Sequence, residues 1–346
     1  MSKNDEETYD EIKGLPPSFF ELNRENYLKN LKMRFSHLNE NSVIILQGGR
    51  IVDKYDCDEA YYYFDQESNF YYLTGVRTPN MLFVLDVQNG EASLFYEQDS
   101  EETQVWQKVP TVEEIEKKYG IKTYLRKDLD RFLQKRNMEV IYILDGVNEN
   151  SDLPVFSAEL NFVGDYAYLN KKINHDKYIY MVLCDTRRVK NEKEKKLLKH
   201  IANISNEAHM ALMKYMAVGL NERDTENFFL QYLRDKYYTR FMAYVCICAS
   251  GPNGATLHYI INNRDMQSGD IYLTDMGIRF LGYNSDISAT YPVNGKFTDK
   301  QKKIYNIVLN SNRGVIAAMK PGITKYADLD KLSKIIILEG LQNTLN

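Results

Sequence analysis

Apolar residues in the first half of the chain follow two spacings, one typical of strands and the other of helices. Short apolar runs at residues 42–47, 81–87 and 92–96 predict strands, and Asn89-Gly90 between the last two is a strong hairpin signal. Apolar residues at helical spacing after Ser18 predict a first helix that this serine caps. Further segments are helical at 112–119 and 128–134 and extended at 121–125 and 139–144. The pattern predicts a mixed α/β domain.

Helical spacing dominates after about residue 185. Apolar residues three and four positions apart predict one helix over residues 191–216. The stripe consists of Leu197, Ile201, Ile204, Ala208, Ala211 and Tyr215. The other predicted elements are helices at 223–237, 298–319 and 326–341 and strands at 244–249, 271–275 and 283–288; a Thr298–Gln301 capping box opens the helix at 298. We therefore expect a flexible tail at 1–17, an α/β domain at 18–185 and a second domain at 186–346.

Composition and charge exclude several classes of protein. The 346 residues are 44% apolar and 27% charged, which is typical of a globular chain of about two domains. The net charge of −4 gives no general attraction to nucleic acid or to anionic membranes. No apolar run is long enough to span a bilayer, and the acidic N-terminus lacks a signal peptide, so we expect a cytoplasmic protein. Four scattered cysteines form no zinc or disulfide pattern, and Cys246 and Cys248 are interpreted as buried thiols.

Two aspartates of the second domain lie in strands that are otherwise apolar. Asp275 and Asp286 are eleven residues apart, and a turn near Phe280 and Leu281 predicts that they face each other directly, with Cβ atoms about 4.5–5.5 Å apart. Two such carboxylates repel each other unless a proton or a cation intervenes. A site for two metal ions would resolve this conflict. These residues alone leave a second interpretation equally open, in which one aspartate caps a turn and the other faces solvent.

The residues around the two aspartates resemble the metal-binding hairpin of the pita-bread metallopeptidases. The matching runs are Asp275-Met-Gly, Tyr283-Asn-Ser-Asp286-Ile-Ser and Tyr291-Pro-Val-Asn-Gly-Lys-Phe297. Upstream, residues 244–251 and the run Leu257-His258-Tyr259 are similar to the prolidase branch, the Xaa-Pro dipeptidases. Residues 45–49, 64–68 and 74–76 resemble the smaller domain of that family. The resemblance covers the chain from about residue 19 to residue 341.

This resemblance implies a fold, a reaction and a set of site residues. The fold is mixed α/β, with a creatinase-like and aminopeptidase P-like N-terminal domain before a pita-bread catalytic domain. The reaction is the hydrolysis of dipeptides with a C-terminal proline by a hydroxide between two divalent metal ions, usually manganese. Asp275 and Asp286 match two metal ligands, and His258 and Tyr244 match residues that bind substrate. The complete protein is implied to be a homodimer.

The resemblance also implies ligands that the sequence lacks. A complete site of this family takes one histidine and two glutamates further along the chain. No histidine follows His258, and Glu339 is the only glutamate after Asp286. We therefore expect a C-terminally truncated chain with an incomplete pita-bread domain, no catalytic residue of its own and no activity as it stands. The remaining histidines are interpreted as surface or structural residues: His37, His175, His200 and His209.

Two other functions stay open at this point. The missing ligands favour a non-catalytic pita-bread-like module that binds peptides or proteins, whereas the presence of both aspartates and His258 argues against it. An Xaa-Pro aminopeptidase is the nearer alternative. The Cys246-Ile-Cys248 run and the layout of the first domain favour the dipeptidase.

Overall fold

The computed structural model describes residues 9–55, 57–98, 102, 105–106 and 108–345. Residues 1–8 of the predicted tail at 1–17 lie outside the described residues. The chain divides into two compact units between Lys199 and His200, inside a helix, whereas the predicted domain boundary lies at residue 185. Within the described ranges, none of the helices is both long and apolar enough to cross a membrane.

The first unit is built around a mixed sheet. Its helices and strands in chain order are α1 (Pro17–Arg34), β1 (Ser42–Gln47), β2 (Asp53–Lys54), β3 (Cys57–Tyr61), α2 (Ser68–Thr74), β4 (Met81–Asp86), β5 (Ala92–Tyr96), α3 (Val112–Tyr119), β6 (Lys122–Leu125), α4 (Leu129–Arg136), β7 (Val140–Leu144), β8 (Ile173–Asp176) and α5 (Lys177–Arg188). Six of the strands form one sheet in the order β6-β5-β4-β1-β7-β8. Strand β1 is antiparallel to β4 and parallel to β7. The mixed α/β prediction is confirmed.

Strand β1 is apolar on both of its faces because both faces of the sheet are covered. Ile44 and Leu46 belong to a core that they share with α1, α2, α3 and α5. Val43 and Ile45 belong to a second core with α4 and residues 158–169. Alternate side chains of a strand point to opposite faces, so a continuous apolar run fits a strand inside two layers. Each such buried side chain stabilises the fold by about 1.5–3 kcal/mol.

Two local sequence signals of the first unit have different outcomes. The Asn89-Gly90 hairpin is confirmed: Gly90 has φ +77°, and Asp86 Oδ1 accepts hydrogen bonds from the amides of Gln88 and Asn89. The prediction that Ser18 caps the first helix is wrong. The helix already begins at Pro17, whose fixed φ suits the first helical position, and no side chain caps it.

The second unit contains long helices and two small sheets. Its elements in chain order are α6 (Glu192–Tyr215, which begins before the division), α7 (Glu222–Tyr237), β9 (Phe241–Met242), β10 (Ile247–Ser250), β11 (Ile271–Met276), β12 (Ile278–Phe280), β13 (Tyr283–Asn284), β14 (Ile287–Pro292), α8 (Asp299–Ala318) and α9 (Tyr326–Leu345). One sheet has the order β10-β11-β14 and the other β13-β12-β9, and all of these pairs are antiparallel.

The helices of the second unit follow the sequence pattern closely. The first four residues of the predicted stripe are buried on α6, but Leu212 continues it and Tyr215 is 39% exposed. The buried stripe continues at Leu212 because the helical repeat of 3.6 residues places position 212 one turn after Ala208, on the same face. The capping box is confirmed, since Thr298 accepts from the Gln301 amide and Gln301 accepts from the Thr298 amide.

Two predicted strands are interrupted because the chain passes from one small sheet to the other. The predicted strand 244–249 is wrong at its start, since β9 pairs with β12 whereas β10 pairs with β11, and Tyr244 lies between them. The predicted strand 283–288 breaks at Ser285 and Asp286 for the same reason. Gly277 forms the matching break between β11 and β12. The three breaks occur side by side.

Gly277 is required by the close approach of these segments. A Cβ atom at this position would overlap the backbone carbonyl oxygen of Ser285 and lie 3.0 Å from Cε1 of the Tyr244 ring. The Ser285 carbonyl belongs to the backbone and cannot rotate away. Gly254 offers a contrast, because its Cβ would come no closer than 3.8 Å to Leu273.

We predict that Gly277→Ala lowers the local stability of residues 271–292 by about 3 kcal/mol, because the added methyl group forces the hairpin strands apart. Amide hydrogen exchange of this segment measures the change. Gly254→Ala is the control and is expected to leave the exchange of residues 271–292 as in the wild type. Equal exchange in Gly277→Ala and in the wild type would contradict the close approach.

Candidate metal centre

Asp275 lies on the half-exposed face of β11. Burial alternates along this strand, so that Tyr272, Thr274 and Met276 are buried while the residues between them are partly exposed. The half-exposed positions are Ile271, Leu273 and Asp275. The strand therefore anchors itself through one face and presents a carboxylate at the end of the other.

Asp286 reaches the same place from the break between β13 and β14, but not in the predicted register. Asp275 lies opposite Ser288, and Phe280 lies opposite Tyr283, so Asp286 falls across from Gly277. The prediction that the two aspartates face each other directly is therefore wrong by two residues. The turn consists of Leu281 and Gly282, both with positive φ, rather than Phe280 and Leu281. A shift of two residues keeps the side chain on the same face, so the aspartates still converge.

Tyr244 joins the two carboxylates. Its hydroxyl lies 2.6 Å from Oδ1 of Asp275 and 2.9 Å from Oδ1 of Asp286. These two carboxylate oxygens are therefore no further apart than the sum of the two distances, 5.5 Å. Tyr244 can reach both because it lies in the break between β9 and β10, next to Gly277.

The charges of this group are unbalanced. A tyrosine hydroxyl has one proton, so it can donate one full hydrogen bond although two carboxylates compete for it. Burial, together with hydrogen bonding to Asp275 and Asp286, raises the pKa of Tyr244 well above its usual value, so the hydroxyl stays protonated at neutral pH. Two carboxylates at this separation repel each other, and a bound cation would remove the repulsion. The arrangement favours a divalent ion that prefers oxygen ligands.

His258 lies on a loop and does not take part in this group. The loop consists of residues 251–263 and begins with the short 3₁₀ turn Gly251–Ala255, and the His258 side chain is exposed. It forms no hydrogen bond with any residue that the structure describes. The neighbouring Tyr259, in contrast, is buried. The predicted role of His258 in substrate binding stays a prediction.

No further metal ligand joins the two aspartates within the described residues. Groups of three or more histidine, cysteine, aspartate or glutamate side chains placed to hold an ion do not occur among them. Cys246 and Cys248 are buried and free, as predicted, and burial raises the pKa of these thiols to about 12 and about 11. They therefore stay protonated and do not act as thiolate ligands at neutral pH.

Sequence reasoning missed the importance of two buried polar residues in this unit. His209 is 3% exposed, and its Nε2 lies 3.0 Å from the carbonyl oxygen of Met276, the residue after Asp275. It is structural, and the alternative of a surface position is excluded. Its place beside Ala208 and one turn from Leu212 is a signal that could have identified it. Glu222 is completely buried, and nothing in the sequence distinguishes it from other glutamates in the first turn of a helix.

Two family models match the chain. The Peptidase_M24 model, metallopeptidase family M24, matches residues 196–344, and the model of the aminopeptidase P N-terminal domain matches residues 20–142. The matches include both aspartates and the greater part of the six-stranded sheet. They confirm the expected order of an aminopeptidase P-like domain before a pita-bread segment.

Similar proteins support the same assignment. The Xaa-Pro dipeptidases of Pongo abelii and Rattus norvegicus are 33% and 34% identical to this chain over 95% and 94% of its length. The chain spans 66% of the length of each of these relatives. The structure of aminopeptidase PepP from Pseudomonas aeruginosa superposes with a TM-score of 0.79 at 25% identity, covering 96% of this chain and 74% of that one. Residues 196–344 of this chain therefore form a segment of metallopeptidase family M24, and an aminopeptidase P N-terminal domain lies ahead of it.

Proposed function

We propose that the protein containing this chain is a metal-dependent Xaa-Pro dipeptidase, which hydrolyses dipeptides with a C-terminal proline. The observation that carries the proposal is the convergence of Asp275 and Asp286 on one tyrosine hydroxyl. The dipeptidase relatives, which match nearly the whole chain, support the substrate class. The predicted homodimer and cytoplasmic location remain proposals of the same kind.

The two aspartates fit part of a two-metal centre. Their carboxylates would hold divalent ions that prefer oxygen ligands, and we propose manganese. When bound, such ions polarise the scissile carbonyl and lower the pKa of a bound water. Within this chain, Tyr244 holds the two carboxylates in position by hydrogen bonding to both. Because no third ligand lies among the described residues, we propose that other polypeptide supplies the remaining ligands.

We propose that His258 binds the dipeptide. Its imidazole is exposed on the loop that follows β10, the neighbour of the Asp275 strand. A neutral imidazole offers one hydrogen-bond donor and one acceptor to a peptide, and a protonated imidazole offers a positive charge to the carboxylate of the peptide. The exposed side chain is therefore available for contact with a substrate.

Two alternatives are supported by particular observations. The absence of a three-ligand group from the described part of the chain supports a non-catalytic module that binds peptides or proteins. The likeness to aminopeptidase PepP supports an Xaa-Pro aminopeptidase. An aminopeptidase cleaves before proline in longer peptides, so comparing Gly-Pro with Gly-Pro-Ala as substrate separates it from the dipeptidase.

Removal of one carboxylate is predicted to weaken metal binding. We expect Asp275→Asn to raise the Kd for Mn²⁺ at least about tenfold, because the amide keeps the shape but loses the charge. Electron paramagnetic resonance of free Mn²⁺ during titration measures the change. Asp235→Asn, at an exposed position of α7, is the matched control and is expected to bind as the wild type does. Equal affinities of all three proteins would contradict a metal site at Asp275.

Catalysis is tested on whatever polypeptide the natural gene encodes. We expect the product, tagged at its N-terminus at the native locus, to hydrolyse Gly-Pro with added Mn²⁺, and Asp275→Asn to lower kcat/KM at least about a hundredfold. A polypeptide of residues 1–346 alone is expected to show no measurable turnover, because two ligands do not make a two-metal centre.

The outcomes of this assay separate the alternatives. A natural product that binds Mn²⁺ without cleaving Gly-Pro or Gly-Pro-Ala would contradict the dipeptidase and support the binding module. Turnover by residues 1–346 would contradict the need for ligands from other polypeptide.

A further inference from the structure

A buried carboxylate accepts hydrogen bonds from the loop that carries His258 and from both ends of this loop. Glu222 is the first residue of α7 and is completely buried. Among the described residues, its carboxylate accepts hydrogen bonds from donors that all lie between Ser250 and Arg264. They are the Ser250 amide (2.6 Å) and hydroxyl (2.8 Å), the Asn253 side-chain amide (3.1 Å), the Tyr259 hydroxyl (2.7 Å) and the Arg264 amide (3.0 Å).

These donors lie at both ends of the loop and in its middle. Ser250 ends β10, and Arg264 lies at the far end, where its carbonyl accepts a hydrogen bond from the Glu222 amide. Asn253 and Tyr259 are also bonded to each other, at 2.9 Å. One side chain of α7 therefore closes the loop of residues 251–263 and fixes its interior.

The carboxylate is suited to this role only in its ionised form, which accepts hydrogen bonds and donates none. Burial alone would raise the pKa of Glu222, but the hydrogen bonds from Tyr259, Arg264 and Ser250 outweigh it and lower the pKa below its usual value. Glu222 is therefore ionised at neutral pH. Hydrogen bonds to a charged acceptor contribute more than neutral ones, so the loss of this acceptor leaves several donors unsatisfied.

The connection to His258 runs through the next residue. Tyr259 is 8% exposed and its hydroxyl is bonded to Glu222, whereas Leu257 is 90% exposed and His258 is also exposed. A buried and bonded ring at position 259 fixes the backbone on which His258 is carried. The position from which the imidazole projects therefore depends on Glu222.

The other hydrogen bonds that hold the loop lie near its end and do not replace this connection. Arg223 donates to the Ile261 carbonyl, and Asn221 donates to the Asn263 carbonyl at 3.0 Å. Asn262 accepts from the Cys248 amide and donates to the Cys246 carbonyl, both at 3.0 Å, and so holds the last part of the loop along β10. None of these bonds reaches residues 253–259.

Without Glu222, the hydrogen bonds of residues 253–259 would be the Asn253–Tyr259 bond, the Thr256 amide to the Asn253 carbonyl and long contacts of 3.5 Å from the Tyr259 hydroxyl to Asn263. The Tyr259 ring would still pack against Ile247 and Ala249, but its hydroxyl would lose its only bond to α7 among the described residues.

We propose that Glu222 is a positioning residue that holds the loop of residues 251–263 so that His258 is presented to the peptide substrate. The loop-holding part rests on the hydrogen bonds that Glu222 accepts, and the substrate part rests on the proposed dipeptidase function.

The loop-holding part is tested by amide hydrogen exchange in the full chain. We expect Glu222→Gln to speed the exchange of residues 251–263 at least about tenfold, because glutamine keeps the shape but cannot accept from all of these donors. Glu207→Gln is the matched control, since Glu207 also accepts several hydrogen bonds, but from Tyr232, Lys236 and Tyr237 of α7. Equal amide exchange rates of residues 251–263 in Glu222→Gln and Glu207→Gln would overturn the proposal.

A second variant covers the case in which Glu222→Gln does not fold. Tyr259→Phe removes only the hydroxyl that joins Glu222 to the residue after His258. We expect its global unfolding midpoint to stay close to that of the wild type, whereas the His258 Cε1–H signal in the nuclear magnetic resonance spectrum moves or broadens. An unchanged His258 signal in Tyr259→Phe would overturn the positioning of His258.

Titration with Gly-Pro separates this inference from the proposed function. We expect Gly-Pro to shift the His258 signal of the wild-type chain, and Tyr259→Phe to weaken the apparent affinity at least about tenfold. Faster exchange of the loop in Glu222→Gln supports the loop-holding role. If the His258 signal of the wild type does not respond to Gly-Pro, the dipeptide is contradicted as the ligand. A response to Gly-Pro that is equal in the wild type and Tyr259→Phe supports dipeptide binding and contradicts positioning by Glu222.

Discussion

Two carboxylates that share one hydroxyl proton repel each other, and this repulsion constrains the group formed by Tyr244, Asp275 and Asp286. Tyr244 brings oxygens of Asp275 and Asp286 to within hydrogen-bond distance of a single atom. A fold that needed only stability would not place two acidic side chains here, since an apolar pair would cost nothing in charge repulsion. The metal site that we propose, with a cation between the carboxylates, would explain the arrangement.

The backbone around this group is shaped by the same requirement. Three segments leave their strands at one level, at Tyr244, Gly277 and Asp286, where the chain passes between the two small sheets. Regular strands would have kept Tyr244 in a ladder and away from the hairpin. The breaks free these side chains from regular alternation, and Gly277 leaves the room in which Tyr244 and the Ser285 carbonyl approach each other.

Much of the fold could be predicted from the sequence because apolar spacing and capping act locally. The limits of β1 and α3 agree with the pattern to the residue, and the Thr298 capping box opens α8 as expected. The register of the hairpin was missed because the positive φ angles of Leu281 and Gly282, rather than the midpoint between the aspartates, place the turn. Glu222 could not have been found, because its donors are brought together only by the fold. The predicted convergence of the aspartates holds although the register was wrong, because a slip of two residues leaves a side chain on the same face of the sheet.

We propose that Asp275 and Asp286 together bind a divalent cation. Crystals of the chain grown with Mn²⁺ and measured at the manganese absorption edge would test this proposal. We expect an anomalous peak about 2.0–2.3 Å from a carboxylate oxygen of each aspartate, with the Tyr244 hydroxyl still bonded to one of them. A fully occupied peak elsewhere, with the two carboxylates still sharing only the tyrosine hydroxyl, would contradict it.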